Sequence, residues 1–174
     1  MKNLFLFFIS LVLVSCSESN PTDGNELISS MHERYQDSWY QTLTFKQATI
    51  YYDAKGEVSK EQTWYEAMKL PSSLAIKFDS ISSENGILFK NDSIHTFANG
   101  SLIGSRQLYH PLLILGFSVY AQSPQKTIED LTKLKIDLSK MKLGKWQGKE
   151  NYIVGDENAS HFYIEKERFL FTKL

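Results

Sequence analysis

TLTFKQATIYYDAKGEVSKEQTWYEAMK, Thr42 to Lys69, is the stretch on which the fold turns. Thr42 to Tyr52 is rich in β-branched and aromatic residues, which suit a pleated, half-buried surface. Asp53-Ala54-Lys55-Gly56 supplies turn chemistry, and a partner strand follows over roughly Val58 to Lys69. Pro71 ends that strand. LAIKFDS then alternates, with Leu74, Ile76 and Phe78 on one face and Ala75, Lys77 and Asp79 on the other. GILFKNDSIHTFANG reads as a hairpin turning at Asn91-Asp92, and Asn99-Gly100-Ser101 reads as a further turn. This half of the chain is predicted to be a meander of antiparallel strands, each with one apolar face.

On the N-terminal side, Asn25 is placed to cap a helix over about Glu26 to Ser38. Leu27, Met31 and Tyr35, spaced by four and flanked by Ile28 and Trp39, form its apolar stripe. On the C-terminal side, HPLLILGFSVYAQ has no alternation and predicts a buried helical segment. Ser123-Pro124 is a cap followed by proline at the first helical position, and Ile128, Leu131 and Leu134 continue that helix. Strands return in GKWQGKENYIVGD and in SHFYIEKERFLFTKL, the latter a hairpin turning at Lys166-Glu167. Helix, strands, helices, strands is the order of an α+β fold built mainly of antiparallel β-structure. The alternation of RFLFTKL runs into the last residue, so this strand is expected either to form an exposed edge or to belong to a longer chain.

The first twenty residues, MKNLFLFFISLVLVSCSESN, carry a separate message. Lys2 gives a positive start, and Leu4 to Val14 are predominantly apolar. Spanning a bilayer takes roughly 20 apolar residues, whereas a secretory signal needs an apolar region of only about 7–15. Leu13-Val14-Ser15-Cys16 resembles the bacterial lipobox, which implies cleavage before Cys16 and a lipid on that residue. Cys16 is the only cysteine, so no disulfide can form within one chain. The predicted organisation is a signal over 1–15, a lipidated cysteine and polar tether over 16–24, and one domain over 25–174. A single acyl chain anchors only marginally and two or more anchor stably, so the expected partner is a membrane, reached through the lipid.

The formal net charge is −1, with no basic run, and nothing recommends a nucleic-acid partner. There is no G-x-S-x-G elbow, no H-E-x-x-H, no P-loop and no G-x-G-x-x-G. His32, His95, His110 and His161 are scattered without metal-ligand spacing. Asp92 and His95 share a hairpin and could touch, while Ser93, Ser101 and Ser105 lack an obvious activating partner. Glu66 and Glu165 could form a distant carboxylate pair, but strand glutamates read first as solvent-facing charges. The expectation is a protein without catalytic residues, metal or cofactor.

The segment order resembles that of the LolA/LolB-type lipoprotein carrier and receptor superfamily. TFKQ, Thr44 to Gln47, opens the first strand after an amphipathic helix. WYEAMKLPSSLAIKF is similar to the family's second and third strands, and GILFKNDSIHTF to the strands that follow. The resemblance implies a half-open antiparallel sheet, an incomplete barrel whose concave face is covered by helices, binding acyl chains of lipoproteins or phospholipids. It implies a place in the bacterial envelope, at the outer membrane facing the periplasm. Phe45, Trp64, Leu74, Ile76, Phe78, Phe89 and Phe97 are the candidate cavity residues, and Leu27, Met31 and Tyr35 the candidate lid. Alternation puts Leu74, Ile76 and Phe78 on one face but leaves the facing of neighbouring strands open. The family's lid-holding K-R-P turn is here Lys69-Leu70-Pro71, and Leu70 has no side-chain donor. A second reading stays open: an anchored module with a filled core, whose Tyr51, Tyr52 and Tyr65 meet a protein or glycan.

Overall fold

The computed structural model describes residues 20–174. The predicted signal, Cys16 and the first part of the predicted tether lie outside the described residues. Helix α1 spans Gly24–Tyr35. Its cap is Asp23 rather than Asn25: the Asp23 carboxylate accepts from the backbone N–H groups of Asn25 (2.8 Å) and Glu26 (2.9 Å). Asp23 is in extended backbone with its side chain over the first turn, so the helix begins earlier than the apolar pattern predicts. It also ends earlier, as the N–H groups of Ser38 and Trp39 fold back onto the Tyr35 carbonyl.

Six strands follow in a continuous antiparallel meander: β1 (Thr42–Tyr52), β2 (Val58–Lys69), β3 (Ser73–Phe78), β4 (Gly86–Lys90), β5 (Ser93–Ala98) and β6 (Ser101–Gln107). The turns explain why they fold back so tightly. At the first, the Asp53 carboxylate accepts from the N–H groups of Lys55 and Glu57. Between β4 and β5, Asn91 and Asp92 both have positive φ (50° and 57°), and between β5 and β6 Asn99 and Gly100 do the same (49° and 74°). Two consecutive left-handed residues twist with the strands, and Asn, Asp and Gly tolerate that geometry. Strand β6 has no counterpart in the sequence reading.

The chain then enters α2 (Pro111–Gly116), a 3-10 turn at Ser118–Tyr120 and α3 (Pro124–Lys133), whose cap is Ser123. A second antiparallel sheet closes the chain, in the order β10 (Leu170–Lys173), β9 (His161–Glu165), β8 (Lys149–Gly155) and β7 (Met141–Trp146). The architecture is α+β, with mostly antiparallel strands in two sheets and three helices, and no barrel closes among the described residues.

Two apolar cores result. The larger joins α1, α2, the 3-10 turn and α3 to the inner face of the second sheet, through Leu27, Ile28, Met31, Leu115, Val119, Tyr120, Leu131, Val154, Phe162 and Ile164. The smaller lies on the six-stranded sheet, where Met68, Leu74 and Ile76 meet Leu113 and Phe117. The α2 segment therefore serves both cores, with Ile114 and Leu115 turned to one and Leu113 and Phe117 to the other. An element buried on two sides has no amphipathic period, which is why HPLLILGFSVYAQ lacks one.

Candidate functional site

The strand registers align one face of the six-stranded sheet into cross-strand rows. The first row reads Leu43, Met68, Leu74, Phe89, Ile94 and Arg106 from β1 to β6. The second reads Phe45, Glu66, Ile76, Ile87, Thr96 and Gly104. A third begins Gln47, Trp64, Phe78, with the Trp64 and Phe78 ring centroids 5.7 Å apart. Six of the seven candidate cavity residues, Phe45, Trp64, Leu74, Ile76, Phe78 and Phe89, thus share one face.

Phe97 does not join them. It pairs with Gly86, which stands opposite Lys77 on the other face of the sheet, while the preceding Thr96 pairs with Ile87 in the second row. Its ring lies beside Ala75, Lys77 and Leu88 in a shallow outer groove. Nor does α1 cover the apolar rows. Leu27 and Met31 are fully buried in the larger core and Tyr35 packs against it, with Tyr35 edge-on to Tyr120 at 5.3 Å. The stripe and the rows belong to different cores. The cover is α2 with the 3-10 turn.

Under that cover the first row and α2 enclose a cavity of about 80 Å³. Met68, Leu74, Phe89, Leu113 and Phe117 line its apolar end, and Asp92, Gln122, Lys126 and Asp130 its polar mouth. One water needs roughly 10–15 Å³ by the same measure, so the space takes several small groups rather than a long chain. At the mouth, Lys126 Nζ donates to both oxygens of Asp130 (2.5 and 2.6 Å) and to Asp92 (3.0 Å), tying α3 to the β4–β5 turn. Burial pulls the Lys126 ammonium down, but its bonds to Asp130 and Asp92 outweigh this and hold it above its ordinary value. At the head of α2, His110 is edge-on to Phe89 at 5.7 Å, and burial lowers its pKa.

The Lys69-Leu70-Pro71 turn holds the cover by a route the sequence did not suggest. Leu70 packs into the smaller core, and the tie is made by Ser118, whose hydroxyl donates to the Pro71 carbonyl at 2.5 Å.

Glu66 and Glu165 are both buried, contrary to the solvent-facing expectation, and their surroundings differ. Glu165 accepts from Arg168 and from Lys149 (3.1 Å); Arg168 does most to bring its carboxyl down to about 2, and Lys149 adds to this. Glu66 lies between Phe45 and Ile76 with its Oε1 buried and unbonded, and burial raises its pKa.

Two smaller corrections concern catalysis. Asp92 and His95 do not meet, because Asp92 turns to Lys126. Ser105 does have a neighbour: His95 Nδ1 lies 2.9 Å from its Oγ, on the outer face of β5 and β6. Among the described residues no carboxylate bonds to His95, so the pair lacks the orienting third group of a nucleophilic triad. Among the described residues no three His, Cys, Asp or Glu side chains converge as metal ligands, and no helix is long and apolar enough to cross a membrane. At the far end of the first hairpin, β1 and β2 run beyond their pairing with β3 and expose Ile50, Tyr52 and Val58, with Tyr52 61% exposed.

No protein-family model, no curated protein and no solved structure matches this chain.

Proposed function

We propose that this chain is a lipid-anchored envelope protein that holds acyl chains of lipoproteins or phospholipids against the apolar rows of its six-stranded sheet, as a half-open receptor with α2 and the 3-10 turn for a cover. The observation that carries the reading is the shared face of Phe45, Trp64, Leu74, Ile76, Phe78 and Phe89 beside a cavity with an apolar end and a charged mouth. Exposing a chain of about 16 carbons to water costs about 13 kcal/mol at ~0.8 kcal/mol per CH₂, so moving one across an aqueous compartment calls for such a surface and no covalent chemistry. The cavity is too small for a whole chain, and uptake requires the cover to move outward. The ties to be broken are few: the Ser118 bond to Pro71, the Lys126–Asp92 pair, and the contacts of Leu113 and Phe117. A ligand that binds the opened form shifts the population towards it. The lipobox-like Leu13-Val14-Ser15-Cys16 supplies the anchor.

Native mass spectrometry of residues 17–174 purified from a bacterial periplasm tests this. The expected result is a co-purifying phospholipid or acylated peptide, lost in Phe78→Asp, which changes a partly exposed ring rather than a fully buried one. A clean apo mass, with no thermal stabilisation by added acyl ligand, overturns it. A second reading then takes its place, in which the exposed Ile50, Tyr52 and Val58 at the end of the first hairpin meet a protein or glycan.

A further inference from the structure

Glu66 is 7% exposed and sits at the centre of the apolar rows, directly across from Phe45 on β1 and Ile76 on β3, with Trp64 and Met68 two residues away on its own strand. Its Oε1 is buried, and among the described residues no donor reaches it. A buried polar atom without a partner is uncommon and calls for a physical account. On the strands beside it, Lys46, Tyr65 and Lys77 share a row of the opposite face. The titratable or charged groups towards its own side are His110 at the head of α2, Asp92, Lys126 and Asp130 at the cavity mouth, and Arg106 at the end of the first row. The first three charged groups after His110 are engaged with one another, and none of the five bonds to Glu66. An isolated carboxylate in an apolar setting is far costlier than the neutral acid, and burial does raise this group above its ordinary value. A neutral carboxyl offers an O–H donor, and the polar group at the head of every esterified or amide-linked acyl chain is a carbonyl acceptor.

We infer that protonated Glu66 donates a hydrogen bond to the ester or amide carbonyl of an acyl ligand lying along the rows, and so fixes where the ligand's head stops on the sheet. The inference rests on the acyl-binding reading above. It assigns the parts of the site different tasks: the aromatic rows carry affinity, and Glu66 in their midst sets register. The same donor serves a phospholipid ester and a lipoprotein amide.

The test uses residues 17–174, which include both cores and every described element. Dodecane, methyl dodecanoate, N-methyldodecanamide and dodecylammonium compete against a fluorescent alkyl probe that lacks a carbonyl, at pH 5 and pH 8. The readout is the affinity of each carbonyl probe relative to dodecane. One net hydrogen bond is expected to make this ratio roughly fivefold to tenfold lower in Glu66→Leu than in the wild type at pH 5. Glu66→Gln, whose amide still donates, should keep the ratio and lose its pH dependence. The wild-type ratio should fall from pH 5 to pH 8 as the donor is deprotonated. Preference for the ester alone would assign a lipid source, and preference for the amide a lipoprotein source, both within the inference. A ratio unchanged by Glu66→Leu, with every probe still bound, overturns the inference and leaves the acyl-binding reading standing. Dodecylammonium favoured increasingly towards pH 8 overturns it in favour of a cation site. No binding by any probe overturns both.

Discussion

Glu66 and Glu165 are strand glutamates buried to a similar degree, 7% and 3% exposed, and their neighbours shift their pKa values in opposite directions. Glu165 lies among Arg168 and Lys149, which keep it ionised, while Glu66 faces Phe45 and Ile76, which favour the neutral acid. The two groups therefore give stability opposite dependences on pH.

Because the folded-state pKa of Glu66 is raised, the folded chain binds its proton more tightly than the unfolded chain does. That contribution is present below the unfolded value of 4.5 and is lost as pH rises through the folded value. Glu66→Leu should consequently stabilise the domain more at pH 8 than at pH 4. Removing an unpartnered buried polar group is expected to gain about 1–3 kcal/mol, measured by urea unfolding at the two pH values. Equal effects at both would show that the carboxyl does not titrate in this window.

Glu165 behaves in the other sense. Its pKa falls from 4.5 to about 2, so its contribution is present above 4.5 and drains away as pH falls towards 2. In Glu165→Gln the acid limb of the stability curve should flatten over that window. Arg168→Ala should flatten it partly, since Lys149 still donates to the carboxylate.

At the cavity mouth, Lys126 bonds a buried partner and a half-buried one. Asp130 is 2% exposed at the side chain and Asp92 35%. Lys126→Met strips Asp130 of its main partner, leaving only Lys133 at 3.9 Å, and should cost about 3 kcal/mol. Asp92→Asn should cost under about 1 kcal/mol. It should nonetheless speed exchange of an acyl probe, because it loosens α3 from the β4–β5 turn. Thermal unfolding and stopped-flow release separate the two effects.

The helix cap offers a check on the fold's first element. Asp23→Ala should cost about 1 kcal/mol by orphaning the N–H groups of Asn25 and Glu26, whereas Asn25→Ala should cost a few tenths. Thermal melts of the two variants decide which residue is the cap.

The meander was legible because each of its devices is local. The alternation of LAIKF put Leu74, Ile76 and Phe78 on one face, and Asn91-Asp92 announced a turn that needs left-handed backbone. Ser123-Pro124 marked the start of α3 in the same way. Strand β6 left no such mark. Leu102 and Ile103 are adjacent and both exposed, Gly104 and Arg106 follow, and an edge strand with solvent along its length has no buried face to pattern.

The amino-acid sequence by itself determined the elements other than β6, their antiparallel class and the apolar character of the candidate site, since propensity, alternation and turn chemistry act within a few residues of one another. Tertiary structure alone decided which faces meet. Leu27, Met31 and Tyr35 turn to the second sheet and leave the rows to Leu113 and Phe117, because α2 lies between two cores and can serve both. Phe97 falls on the opposite face from the other six candidates because it directly follows Thr96, which pairs with Ile87 in the second row, and facing alternates residue by residue along a strand. Glu66 and Glu165, alike in type and in strand setting, diverge because a carboxyl's charge is fixed by what packs beside it, and those neighbours arrive from other strands and turns.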